Sequence, residues 1–266
     1  MYETWHPHCD HPQRVKAKIN YTVWSEVFAC PNCGNEVVYY DAAVEKETFQ
    51  VNDEFDCPHC HVRLNKKSLE RVWDTYYDGA LSRSHRLVKY EPVLINYQLG
   101  MRRLEKSPDR DDLTLLNKVH DLSPQQWFPM HEMPEGERKE KDGYDLKGIS
   151  HLHHFYFPRA LYVYSKLWSL VDRCRDDTCV SPFTRFYVEG SCLGFTRMNR
   201  YSANHYSQVN RYFSGTLFVA SLISEVSPAY SMTNKLQRLT KLALPGVVGQ
   251  TVTTSQSTTC LQGVQD

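Results

Sequence analysis

The 266-residue sequence has no excess of either charge: 31 Lys and Arg stand against 31 Asp and Glu, for a formal net charge of zero. Attraction of the whole molecule to a polyanion is therefore absent, and any nucleic-acid contact has to come from a local patch. Long hydrophobic runs are also missing. The longest apolar stretch, around Leu217–Ile223, is far too short to span a bilayer. No secretory leader or lipidation motif is visible, which gives a cytoplasmic expectation with no membrane partner. Internal repeats are limited to two cysteine pairs. Hydrophobic residues make up 41% of the chain, enough for a core.

What is present is a pair of knuckles, Cys30-Pro-Asn-Cys33-Gly34 and Cys57-Pro-His-Cys60. Zinc prefers deprotonated sulfur, and four thiolates close its tetrahedral shell. A closed shell leaves no position for water or substrate, so the expected role is structural. Iron is a second occupant that a four-cysteine tetrahedron accepts, and four unliganded thiols are the alternative without metal. Gly34 supplies the left-handed backbone a knuckle turn needs. His61 stands at the matching place in the second knuckle, where positive φ is less comfortable. A zinc deaminase needs His-x-Glu ahead of Pro-Cys-x-x-Cys. Here proline follows the first cysteine of each pair, and His131-Glu132 lies downstream, so that class is rejected. The other cysteines (Cys9, Cys174, Cys179, Cys192, Cys260) share no spacing, and nine cysteines with four in a metal pattern fit a reducing cytosol.

The expected fold is α+β: a four-cysteine zinc-ribbon β-hairpin, then a mixed α/β segment, then part of a methyltransferase-type α/β sheet. The expected divisions are a lead-in loop and strand at 1–27, the ribbon at 28–62, an α+β segment at 63–130, a charged linker at 131–148, and a partial methyltransferase-like region at 149–266. Within these, Ile19–Phe28 reads as a strand, and Val37–Tyr40 as a β-prone run returning through Phe55-Asp56. Ser68–Tyr77 reads as a helix with Leu69, Val72 and Trp73 on one face. His85–Lys106 gives two strands turning at Gly100. Ser107-Pro108 predicts a helix start, with Asp109, Asp111 and Asp112 at its positive end and Leu113, Leu116 and Val119 inward. Pro158 to about Arg173 is a helix with Leu161, Tyr164, Trp168 and Val171 inward. Asn234–Leu244 is another, with Leu236, Leu239 and Leu242/Ala243 inward, stopped by Pro245-Gly246, and Val247–Thr253 is a strand.

Three other constellations stand out. His6, His8, Cys9 and His11 offer a second metal site, but they are crowded among proline and charge, and a solvated loop is the favoured reading. His151, His153 and His154 suggest a metal, but their alternation marks a strand face, and no neighbour in sequence completes a ligand set; their role stays open. Residues 195–241 carry Arg197, Arg200, Arg211, Lys235, Arg238 and Lys241 against one acid, Glu225, with Tyr201, Tyr206, Tyr212 and Phe213 among them. Such a mixture either holds a phosphate backbone and stacks bases or is an ordinary solvated face.

Several phrases, in order, carry a family resemblance: MYETWHP, INYTVWSEVFACPNCGNEVVYYDAAV, FDCPHC, VLINYQLG, ISHLHHFYFPRALYV, MNRY, QVNRYFSGTLFVASLISEVSP, KLQRL and TSQSTT. Together they span nearly the whole chain, and it resembles the central part of large prokaryotic S-adenosylmethionine-dependent DNA methyltransferases that methylate adenine N6 or cytosine N4. The resemblance implies a glycine-rich cofactor turn ahead of these residues and an Asp/Asn/Ser-Pro-Pro-Tyr/Phe catalytic motif behind them. Phe213-Ser214-Gly215-Thr216-Leu217 has Leu where the second Gly belongs, Ser181-Pro182-Phe183 lacks the second proline, and no Asp-Pro-Pro or Asn-Pro-Pro occurs. The expectation is thus a fragment or split subunit, inactive alone, with no catalytic or cofactor-binding residues of its own. It contributes the zinc ribbon and DNA recognition, partners with the missing halves, and meets S-adenosylmethionine in the complete enzyme. The alternative is a standalone zinc-ribbon nucleic-acid-binding or adaptor protein.

Overall fold

A computed structural model describes residues 1–7, 15–48, 50–120, 122, 124–202 and 215–243. Arg211, the strand expected at Val247–Thr253, and the His8, Cys9, His11 and Cys260 positions lie outside them. The described chain is mixed α+β, and all its strand pairings are antiparallel.

The hub is β2 (Lys16–Ala29), a 14-residue strand rich in β-branched and aromatic side chains. It pairs with β1 (Glu3–Trp5) near its start and with β3 (Glu36–Val38) and β6 (Glu70–Arg71) at its end. Over its middle it takes β9 (Tyr90–Leu99) and β11 (Leu222–Val226). These two share partners from Tyr21 to Ser25, so they occupy opposite edges of β2. The register with β9 shifts twice, between Ile19 and Tyr21 and between Val23 and Trp24. Pro92 sits beside the second shift, where a missing N–H is tolerated. β9 continues through Gly100 (φ 58°) into β10 (Arg102–Lys106), the turn expected from sequence.

Two cores flank the hub, and β2 feeds them with alternate residues. Tyr21 and Val23 enter a cluster with Tyr39, Tyr40, Phe55 and Leu64, close to Cys30 and Cys57. Trp24 enters a cluster with Phe155, Phe157, Tyr164, Trp168 and Ile223. The second face also carries charge. Glu225 on β11 is fully buried and accepts from Arg159 Nε and Nη2 (both 2.8 Å), Trp24 Nε1 (2.7 Å) and Tyr2 Oη (2.8 Å). Arg159 also reaches Thr22 Oγ1. Nearby, buried Glu26 accepts from Lys147 Nζ (2.7 Å), Arg71 Nε (2.9 Å) and Ser221 Oγ. Pairing of this kind offsets the cost of burying these charges.

Several local expectations are corrected. Ser68–Tyr77 is no helix: it holds β6 and β7 (Trp73–Asp78), and β7 pairs with β8 (Arg83–Val88). The apolar residues Leu69, Val72 and Trp73 fit a helical face, but Trp73, Thr75, Tyr76 and Tyr77 favour extended backbone, and a cross-strand partner is present. His85–Lys106 therefore contains three strands rather than two. The β-prone run Val37–Tyr40 stops after Val38 and becomes α1 (Tyr39–Ala43), which stacks Tyr39 edge-on to Phe28 and Phe55. In α2 (Arg110–His120) the cap is Asp109 rather than Ser107: Asp109 Oδ1 accepts from the N–H groups of Asp111 and Asp112. Val119 is buried, but Leu113 is exposed.

Residues 131–148, expected as a charged linker, are largely exposed but anchored to the second core. They include α3 (Glu137–Asp142), bury Met133 and Tyr144 in the second core, and send Lys147 to Glu26. Gly148 (φ 83°) ends the segment where a Cβ would strike the Arg86 carbonyl. After it come α4 (Pro158–Arg173), matching the expected helix, α5 (Val180–Cys192) and α6 (Pro228–Ala243). α6 starts earlier than expected because Pro228 is itself a good first helical residue, and its Leu236 points outward instead of in.

Candidate metal centre

Each cysteine pair closes its own hairpin. The first knuckle links β2 to β3; the second links β4 (Glu54–Asp56) to β5 (Arg63–Asn65). The two turns are built alike. Cys30 N–H donates to Asn35 O and Gly34 N–H to Cys30 O; Cys57 N–H donates to Val62 O and His61 N–H to Cys57 O. The shared turn needs a left-handed residue at its end, and both have one: Gly34 at φ 71° and His61 at φ 58°. Left-handed backbone costs an L-residue roughly 1–2 kcal/mol. His61→Gly is therefore expected to raise stability by up to about 1 kcal/mol, after glycine's added chain entropy is deducted. Urea melts of the metal-loaded protein check this.

The four sulfurs converge. Cys30 Sγ lies 3.8 Å from Cys60 Sγ and Cys33 Sγ 3.9 Å from Cys57 Sγ, with all four within 4.8 Å of one another. A tetrahedron with Zn–S bonds of about 2.3 Å has edges of about 3.8 Å, and a disulfide needs sulfurs about 2 Å apart. The spacing is thus right for an ion and wrong for oxidation. Side-chain amides favour the thiolates: Asn32 Nδ2 donates to Cys60 Sγ (3.4 Å) and Asn35 Nδ2 to Cys33 Sγ (3.5 Å). The Asn32 amide and the Val62 N–H hold the Cys60 thiol down to about 6, whereas, against the Asn35 backbone N–H, burial and the neighbouring sulfurs of Cys30, Cys60 and Cys57 push the Cys33 thiol up to about 11. The four cysteines fit a metal, consistent with zinc, and a closed sulfur shell would order the two hairpins without offering a reactive position.

A second cluster was out of reach of sequence spacing. His153 Nε2 (2.9 Å) and His154 Nε2 (2.8 Å) both point at Asp78 Oδ2, on a strand far back in the chain. The histidines occupy a short 3₁₀ turn, Leu152–Phe155, rather than the face of a strand. All three groups are buried and close enough together for an ion. The hydrogen bonding argues otherwise. His154 Nδ1 accepts from the backbone N–H groups of Ser150 and His151, so its hydrogen is on Nε2 and points at Asp78. A nitrogen that carries hydrogen is no ligand. Asp78 Oδ1 meanwhile accepts from the N–H groups of Ala80 and Leu81. The cluster is a tether that pins the 3₁₀ turn to β7, with His153 Nδ1 buried and without a hydrogen-bond partner.

Its protons make a prediction. Burial, with His153 and His85 nearby, pushes the His154 imidazole down to about 3. Burial works against the charge of Asp78, yet hydrogen bonds from His153 and His154 hold its carboxyl at about 2. The unfolded chain takes up the imidazole proton near pH 6.5 and the folded chain only near 3. Falling pH therefore favours unfolding across that window, with Asp78 adding to the loss below about 4. Stability is expected to drop by about 1.4 kcal/mol per pH unit per proton taken up. Urea titrations between pH 7 and 4 should show this slope in the wild type and a shallower one in His154→Gln.

The basic residues do not form one surface. Arg197 is buried: its guanidinium lies over the Phe157 ring at 4.1 Å and the Tyr90 ring at 5.6 Å, which removes it as an open phosphate contact. Arg200 is exposed beside β11. Lys235, Arg238 and Lys241 share α6. Glu225, the lone acid of that stretch, faces inward to Arg159. No helix among the described residues is long and apolar enough to cross a membrane. No model of a known family, no curated protein and no solved structure matches this chain.

Proposed function

We propose that these residues are the zinc-ordered, target-recognition part of an S-adenosylmethionine-dependent DNA methyltransferase acting on an amino group of adenine or cytosine. The paired knuckles form its zinc ribbon. The carrying observation is where the resembling phrases meet. Tyr2 of MYETWHP, Thr22 and Trp24 of INYTVWSEVF, Arg159 of FPRAL and Glu225 of ISEVSP join in one buried cluster. Asn199 of MNRY adds a hydrogen bond to Ser224 O at 2.6 Å. Phrases scattered over more than 200 positions are thus one physical unit. The chemistry would come from polypeptide bearing the two motifs this sequence does not have. There a carbonyl pair accepts the amino hydrogens, leaving the nitrogen lone pair free to face the methyl sulfonium.

A second reading is a non-catalytic zinc-ribbon nucleic-acid-binding or adaptor protein. One observation favours it: every described pairing is antiparallel, whereas doubly wound α/β sheets are mostly parallel. The neighbouring reading frames separate the two. The methyltransferase reading expects a glycine-rich turn encoded upstream and an Asn/Asp-Pro-Pro motif downstream. Calorimetry should then show S-adenosylmethionine bound by the joined product and not by these 266 residues. Flanking DNA that encodes neither motif in any frame would leave the binding protein as the surviving reading.

A further inference from the structure

α5 and α6 pack side by side. Tyr187 Oη donates to Met232 O at 2.7 Å, and Lys235 crosses onto α5 with its Nζ 5.0 Å from the centre of the Phe186 ring. Gly190 makes that crossing possible, because a Cβ there would fall on the Lys235 ammonium. On the outer side of this pair, Phe183 and Phe186 are 46% and 55% exposed, an unusual position for two phenylalanines. Phe183 lies parallel to Tyr187, with ring centres 6.5 Å apart.

α6 carries charge of one sign. Lys235, Arg238 and Lys241 recur every third residue and cover about 9 Å of helix axis. None has a carboxylate partner among the described residues, in contrast to the buried cations Arg159, Lys147 and Lys106. Instead, burial and Arg238 depress the Lys235 ammonium. α6 contains no acid and α5 only Glu189. Unneutralised cations beside open aromatic rings call for a partner that brings negative charge and flat faces together.

We propose that this α5–α6 surface is a docking track for unpaired nucleic acid, with Lys235, Arg238 and Lys241 on phosphates and Phe183 and Phe186 stacked on bases. The proposal rests on the DNA-recognition reading above and adds the surface and the strand state. A methyltransferase extracts its target base from the duplex, so unpaired bases arise in its working cycle. An acidic peptide would satisfy the cations but has no planar base for the rings.

The test is anisotropy of a fluorescent oligothymidine titrated with the zinc-loaded 266-residue chain across a salt series. The expected result is tighter binding to single strands than to a duplex of the same length. Lys235→Glu with Arg238→Glu and Lys241→Glu should lower the salt slope by about 2, at about 0.7 per lost contact. Phe183→Ala with Phe186→Ala should weaken binding by about tenfold or more with the slope unchanged. Gly190→Ala, which displaces Lys235 without altering charge, should fall between wild type and the charge reversals. DNA binding that ignores all three variants overturns the docking track while leaving the DNA reading in place. No DNA binding even at low salt overturns both. Competition by polyglutamate as strong as by oligothymidine, with the Phe variants silent, marks a simple polyanion patch and overturns the stacking.

Discussion

Native mass spectrometry of the purified chain is expected to show one bound ion with the mass of zinc, and chelation or Cys57→Ser is expected to unravel both knuckles. The reason is the size of the metal contribution. Structural zinc supplies about 10–16 kcal/mol of apparent binding energy in small modules, comparable to the whole stability of a domain at about 5–15 kcal/mol. Cys57 is fully buried between the Tyr39–Phe55 core and the other sulfurs, so its loss removes one ligand and opens the hairpin of β4 and β5. Since the first knuckle is the end of β2, the damage should reach the main sheet. A fall in melting midpoint of at least about 10 °C is expected, at about 2–4 °C per kcal/mol for a chain of this size. A protein without metal whose melt matches the loaded form would remove the structural role of the cysteines.

The second large effect belongs to Glu225. Glu225→Ala leaves the Arg159 guanidinium buried without its direct carboxylate, held by Thr22 and the Tyr2 ring. An uncompensated buried charge costs about 3–5 kcal/mol. Trp24 and Tyr2 lose their acceptor in the same step. Expression in the insoluble fraction, or a midpoint lower by about 6–20 °C, is the expected outcome. Replacing both members, Glu225→Met with Arg159→Met, should recover the part due to the unpaired guanidinium, because two apolar side chains need no counter-charge, while the loss of the acceptor for Trp24 and Tyr2 remains. If the single variants melt like the wild type, the cluster is a bystander to stability.

What the sequence disclosed was what depends on short-range chemistry. The knuckles, the left-handed residue at each turn, the Gly100 hairpin, the strand ending near Phe28 and the helix from Pro158 are all written in local residues. What stayed hidden depends on partners far away. Ser68–Tyr77 looked helical because the eye counts its own apolar residues and not the strand β8 beside it. Residues 131–148 looked solvated because the burial of Tyr144 and the pairing of Lys147 with Glu26 are invisible at a distance of 121 positions. The same blindness hid Asp78 from His153 and His154. Arg197 showed the reverse error: an arginine among aromatics reads as a nucleic-acid contact until the rings prove to be its wrapping. A signal did exist for the Glu225–Arg159 pair, since a lone acid in a basic, apolar stretch is a poor surface residue and a good buried anchor.

Antiparallel pairing of β11 with β2 has a consequence for how this protein is made. Tyr21 meets Val226, and Ser25 meets Leu222. During synthesis one edge of β2 must wait for about 200 further residues, which takes roughly 10–40 s at ribosomal speed. For that interval an apolar strand has an open row of backbone donors and acceptors, the condition that invites sticking to other chains. The molecule should therefore fold late and slowly, and nascent copies of it should depend on chaperones more than its zero net charge would suggest.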